Sequence, residues 1–195
     1  MYSVYSSALG RADQALSEIS RSQQLDPLSA SILTTAGWVS YFARQYQPGI
    51  DRCRRAWELD PNSVRAGECL GAAYMAEGAY DQAIAACQRA VALSGGDPIQ
   101  QVTLGRAYAL AGRNSEARSI LRKLRRRSQS TYVPPYYVAT LYVALGDKEQ
   151  ALTLLKQAYR EREGYLPWAK VDVALDPLRS DPRFQALLQR VGLPQ

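Results

Sequence analysis

Small and apolar residues return along this chain at one fixed step. Ala15, Gly49, Ala83, Ala117 and Ala151 lie 34 residues apart, and Tyr74, Tyr108 and Tyr142 keep the same interval. Within a step the apolar positions follow the helical spacing. Ala15, Leu16, Ile19 and Leu25 share one face of a segment at about Ala12 to Leu25, and Phe184, Leu187, Leu188 and Val191 fall at i, i+3, i+4 and i+7 near the C-terminus. Stops separate the helices. Leu25-Asp26-Pro27 and Leu59-Asp60-Pro61 each close one, because the residue before proline is pushed out of α space. Pro134-Pro135 opens another, proline being tolerated in a first turn. The pattern predicts an all-α chain built from pairs of helices.

Glycine sharpens the prediction. Gly37, Gly71 and Gly105 fall inside the first helix of successive pairs, where glycine costs about 1 kcal/mol against alanine. Close approach of the second helix offsets that cost, since a missing Cβ lets two backbones come together. Ala83, Ala117 and Ala151 would complete this contact, and Ala56, Ala90 and Ala158 would serve where neighbouring pairs meet. Gly78, Gly112 and Gly146 form a further column at the ends of first helices, where a left-handed residue is needed. Ser94-Gly95-Gly96-Asp97-Pro98 reads as a turn.

A helix–turn–helix unit of 34 residues with these columns resembles the tetratricopeptide repeat. The resemblance implies a right-handed α-α superhelix, with a partial unit at 1–27, units at 28–61, 62–97, 98–131 and 132–163, and a C-terminal cap at 164–195. Residues 164–179 look irregular. Ser180-Asp181-Pro182 then starts a capping helix that Gly192 and Pro194 end, covering the face the last unit would expose. At the other end, Tyr2 to Leu9 is half a helix and leaves part of Ala15, Leu16 and Ile19 open, so a homodimer or an upstream domain is expected to meet this end. Ala36-Gly37-Trp38, Tyr41-Phe42-Ala43-Arg44, Ala92 to Gly96 and Leu175 to Phe184 also resemble the C-terminal repeat regions of bacterial multidomain regulators, in which such repeats follow a winged-helix, cyclase-like or kinase domain.

The chain has no histidine, which removes histidine-dependent triads and HExxH metal sites. Phosphate-binding motifs of the GxGxxG or GxxxxGK type are absent, and carboxylates such as Glu68, Glu77 and Glu116 are scattered. A non-enzyme without cofactor or metal is expected. Cys53, Cys69 and Cys87 form no CxxC pair and read as reduced core residues, which with the lack of a secretory signal suggests a cytoplasmic protein. No stretch is long and apolar enough for a bilayer. The formal net charge of +6 is concentrated in Arg52, Arg54, Arg55 and the run Arg122 to Arg127, which reads as a solvated outer wall. Nucleic-acid binding is disfavoured because no aromatic interleaves that run.

What remains is an interaction module. The resemblance implies a concave groove lined by first helices, and register places Thr34, Trp38, Tyr41, Arg65, Glu68, Ala72, Met75, Ile99, Val102, Arg106, Ala109, Tyr136, Thr140 and Val143 along it. The lysine/asparagine cluster with which chaperone-binding members hold a C-terminal carboxylate is missing there. The expected function is therefore a protein–protein interaction scaffold that takes a peptide on apolar and aromatic anchors, with ligand sensing inside a larger regulator as the alternative.

Overall fold

A computed structural model describes Ser6 and residues 11–193. Ten α-helices are defined among them: α1 (Ala12–Leu25), α2 (Ala30–Phe42), α3 (Tyr46–Leu59), α4 (Val64–Glu77), α5 (Tyr80–Leu93), α6 (Pro98–Leu110), α7 (Asn114–Arg127), α8 (Pro135–Ala144), α9 (Lys148–Arg160) and α10 (Pro182–Arg190). Two 3-10 helices, Leu166–Lys170 and Val173–Leu178, lie between α9 and α10. The half-helix expected at Tyr2 to Leu9 falls outside the described residues.

Local chemistry sets these boundaries. Ser29, Ser63 and Asp97 stand 34 apart and each starts an inner helix, accepting from the backbone N–H of Ile32, Ala66 and Ile99 respectively. Gly78, Gly112 and Gly146 take φ of +84°, +76° and +81° where the chain turns back. Arg44 stands one step earlier in that column and adopts φ +61° without being glycine. Asp181 caps α10 with Pro182 in its first turn.

Each inner helix packs against the outer helix that follows it, and α2, α4, α6 and α8 lie side by side. The result is a right-handed superhelix with its inner helices on the concave face. The glycine column meets the second helix as its spacing predicts at Gly71, where a Cβ would stand 2.5 Å from Cys87 Sγ on α5. At Gly105 the tight neighbour is instead Leu141 Cδ2 of the next inner helix, α8, at 2.9 Å from the added Cβ. Ala56, Ala90 and Ala158 are fully buried, but Leu124 occupies the same column between them. There α7 stands off α8, leaving a crevice of about 230 Å³ bordered by Leu121, Leu124, Val133 and Tyr142.

The cysteines depart from the sequence reading. Cys53 on α3 and Cys69 on α4 form a disulfide with their Cα atoms 6.0 Å apart. Gly37 makes room for it, because a Cβ there would collide with both sulfurs. Only Cys87 is a free buried thiol, and burial pushes its pKa up to about 12. With two of the three cysteines paired, cysteine usage no longer points to a reducing compartment.

Phe184, Leu187 and Leu188 of α10 bury against Ala151, Leu152 and Leu155 of α9, so the C-terminal helix caps the stack. Burying a side chain of this size contributes roughly 1.5–3 kcal/mol. The segment before it does more than the sequence pattern suggests. Its two 3-10 helices fold back across the concave face as far as α2.

Candidate functional site

The concave face holds a cavity of about 440 Å³ between the inner helices and the returning 3-10 segment. Trp38 and Tyr41 reach it from α2, Arg65 and Glu68 from α4, Arg106 from α6, and Tyr136 and Thr140 from α8. Ala72 and Ile99 also touch it. Thr34 does not; its hydroxyl donates to the Ala30 carbonyl at 2.8 Å within α2. Met75, Val102, Ala109 and Val143 lie in the hydrophobic core between helices instead of on the cavity wall. At these positions inter-helix packing claims the side chain that register alone would assign to the groove.

One wall is aromatic. Trp38 stacks on Phe42 at 5.8 Å between ring centres, and Phe42 stacks on Trp168 at 4.7 Å and 15°. Across the space Tyr165 meets Tyr137 edge to face at 4.8 Å. Such pairs add roughly 0.5–1.5 kcal/mol beyond the area they bury, which favours a preformed wall over a collapsed one.

The polar groups are arranged around Asp172. Its carboxylate accepts from the Tyr41 hydroxyl at 3.1 Å, the Tyr136 hydroxyl at 2.8 Å and the Ala174 backbone N–H at 2.9 Å. Burial, and then the charge of Asp172, pushes both phenols above their ordinary range, so they remain donors. Arg106 lies beside Tyr41 and is only 8 % exposed, yet no carboxylate among the described residues is within salt-bridge reach of it. Glu68 accepts from Gln100 Nε2 at 3.3 Å, and burial lifts its carboxyl above the usual range against the pull of that bond and of Arg65 and Arg106. Gln100 is 6 % exposed and its Oε1 has no donor.

Residues 74–133 match the tetratricopeptide repeat family. Several solved structures share the architecture. TTC0263, a thermophilic tetratricopeptide-repeat protein of Thermus thermophilus, aligns at a TM-score of 0.64 and 19 % identity over 86 % of this chain and 92 % of its own. A tetratricopeptide repeat protein from Parabacteroides merdae gives 0.65 and 18 %, over 87 % and 66 %. YrrB, described as a tetratricopeptide-repeat protein with an unusual peptide-binding site, gives 0.54 and 20 %, over 87 % and 88 %. The chain folds as a tetratricopeptide-repeat solenoid. No curated protein matches its sequence.

In this solenoid the residues missed by register are Phe42, Gln100, Thr103, Tyr137, Tyr165, Trp168 and Asp172. Phe42, Gln100, Thr103 and Tyr137 sit on inner helices beside anticipated positions, and one more residue on either side of each register position would have found them. Tyr165, Trp168 and Asp172 come from the aperiodic segment, where the repeat offers no register. Their only sequence signal is composition: two bulky aromatics and an acid in a stretch that otherwise looks like linker.

Proposed function

We propose that this chain is a non-catalytic scaffold that holds a peptide segment of a protein partner in its concave cavity. The observation that carries the reading is the aromatic wall of that cavity with a buried guanidinium, Arg106, in its floor. Rigid aromatic surface supplies contact area at low entropy cost, and a small number of polar groups orients what binds. The peptide-binding site named for YrrB supports the reading by analogy of fold. Peptides selected from a random library on the wild-type chain should lose binding to Trp38→Ala and Tyr165→Ala and keep it with Arg125→Glu on the outer wall. Binding that survives both cavity variants and fails with Arg125→Glu moves the site to the convex face.

The second reading, a ligand-responsive module of a larger regulator, is favoured by one feature. The 3-10 segment that closes the cavity is tied to the end of α2 through Phe42–Trp168 and to the turn after it through Arg44–Asp176. An occupant that pushes on this segment would alter the contact between the two ends of the solenoid. Hydrogen exchange across residues 166–178 with and without a selected peptide tests this directly.

A further inference from the structure

We propose that the concave cavity binds an aromatic ring bearing a carboxylate, with the carboxylate on Arg106 and the ring against the aromatic wall. The proposal rests on the reading of this cavity as the binding site and specifies its ligand chemistry.

An aromatic-walled cavity that also contains Glu68 and Asp172 could be built for a cation instead. The hydrogen-bond pattern decides against it. Asp172 is already surrounded by two phenol hydroxyls and a backbone N–H, so its charge is compensated within the protein. Glu68 accepts from Gln100, and burial disfavours its charged form. The group with bonding capacity to spare is positive: the Arg106 guanidinium lies buried on the cavity wall beside the Tyr41 hydroxyl, in the field of Asp172, with no carboxylate among the described residues within salt-bridge reach. A planar guanidinium with no carboxylate in contact can take an incoming one with two parallel hydrogen bonds. The row Trp38, Phe42, Trp168 provides the face for the ring. A space of about 440 Å³ falls within the ~300–1,000 Å³ typical of small-ligand pockets and admits one such group.

The same chemistry is carried by a free N-acylated aromatic amino acid and by the aromatic C-terminal residue of a peptide. Three probes separate these sources and test the charge: N-acetyl-phenylalanine, its neutral amide, and N-acetyl-triglycyl-phenylalanine. None contains tryptophan, so fluorescence of Trp38 and Trp168 in the full chain reports occupancy. At least one of the two acids should change that signal saturably, and the neutral amide should bind about tenfold or more weakly than N-acetyl-phenylalanine if the free acid is the ligand. Binding by the free acid alone assigns a small molecule; binding by the peptide alone assigns a chain end, and its C-terminal amide then serves as the neutral control. Arg106→Met should abolish the preference for acid over amide, with Arg106→Lys restoring part of it. Where Arg106→Met does not fold, the acid–amide ratio on the wild-type chain decides alone. Equal affinity for acid and amide overturns the proposal while leaving a peptide-binding cavity intact. If neither acid binds but library-selected peptides do, the ligand chemistry is wrong and the scaffold reading stands; if nothing binds the cavity, both fail.

Discussion

The Arg44 guanidinium grips the Asp176 carboxylate with two bonds, Nη1 to Oδ2 at 2.6 Å and Nη2 to Oδ1 at 2.8 Å, joining residues 132 positions apart. Arg179 Nε adds a third bond to the same carboxylate at 2.6 Å. The arginine that makes this bridge stands in the column where Gly78, Gly112 and Gly146 stand, with the same left-handed backbone. A non-glycine residue there costs on the order of 1–3 kcal/mol. The ion pair, about half exposed on the Arg44 side, is too solvated to offset all of that cost. What it secures is position: it fixes the 3-10 segment against α2, beside Phe42 and Trp168.

Arg44→Gly should therefore relieve the backbone and release the segment at once. We expect little change in global unfolding free energy, within about 1 kcal/mol, but faster hydrogen exchange at amides 166–178. Asp176→Asn removes the bridge without the backbone relief and should be the less stable of the two. Unchanged exchange in both variants means that the stacked rings alone hold the segment.

Gly71 offers a test of the helix contact. Its absent Cβ would approach Cys87 Sγ to 2.5 Å, so Gly71→Leu should overpack the α4–α5 pair and cost on the order of 1–3 kcal/mol or more. Gly71→Ala should cost less, and Cys87→Ala should recover much of that loss by removing the sulfur. Denaturant midpoints of the two single variants and the double variant measure the coupling. Simple additivity would place the pressure on Gly71 elsewhere.

Much of the fold is legible in the sequence because the repeat columns coincide with backbone requirements. Asp26-Pro27 and Asp60-Pro61 follow helices that end at Leu25 and Leu59, the glycines at 78, 112 and 146 turn the chain, and Phe184 and Leu187 lie on the buried side of the capping helix. The site is only half legible. Register finds positions that face inward but cannot distinguish a cavity wall from an interlocked core, so Val102 and Trp38 look alike. Asp172 and Trp168 meet α2 and α8 through contacts that no periodicity encodes. The Cys53–Cys69 pair is hidden for a related reason: Cys53 shares its column with Cys87, while its actual partner lies on the neighbouring inner helix.

Truncation before Gly164 tests the cap. It removes Leu175, Leu178, Phe184, Leu187 and Leu188, all buried against the last helix pair, and it removes Asp172 from between Tyr41 and Tyr136. The newly exposed apolar face should drive self-association, visible as a rise in scattering mass with concentration. A truncated chain that stays monomeric and melts as before would mean the outer face of α9 is sufficient by itself.

Glu163 supplies a pH dependence with a defined sign. Its Oε2 accepts from the Tyr136 backbone N–H at 3.0 Å, its Oε1 has no partner, and burial lifts its carboxyl above the ordinary 4.5 although the Tyr136 bond opposes the shift. A carboxyl with a raised folded pKa binds more protons folded than unfolded between the two values. Stability from this group therefore declines as pH rises from about 4.5 through the raised value, and the penalty is complete above it. Glu163→Gln retains an acceptor for Tyr136 and cannot ionise. The variant should match the wild-type melting temperature near pH 4 and exceed it by pH 7. Asp176 acts in the opposite sense: its burial works against ionisation, but hydrogen bonds from Arg44 and Arg179 hold it below the ordinary 3.8, so its contribution is present at neutral pH and lost only in stronger acid. Melting curves of wild type, Glu163→Gln and Asp176→Asn from pH 3 to pH 8 separate the two. A Glu163→Gln advantage that is the same at every pH would assign the gain to packing and not to the buried charge.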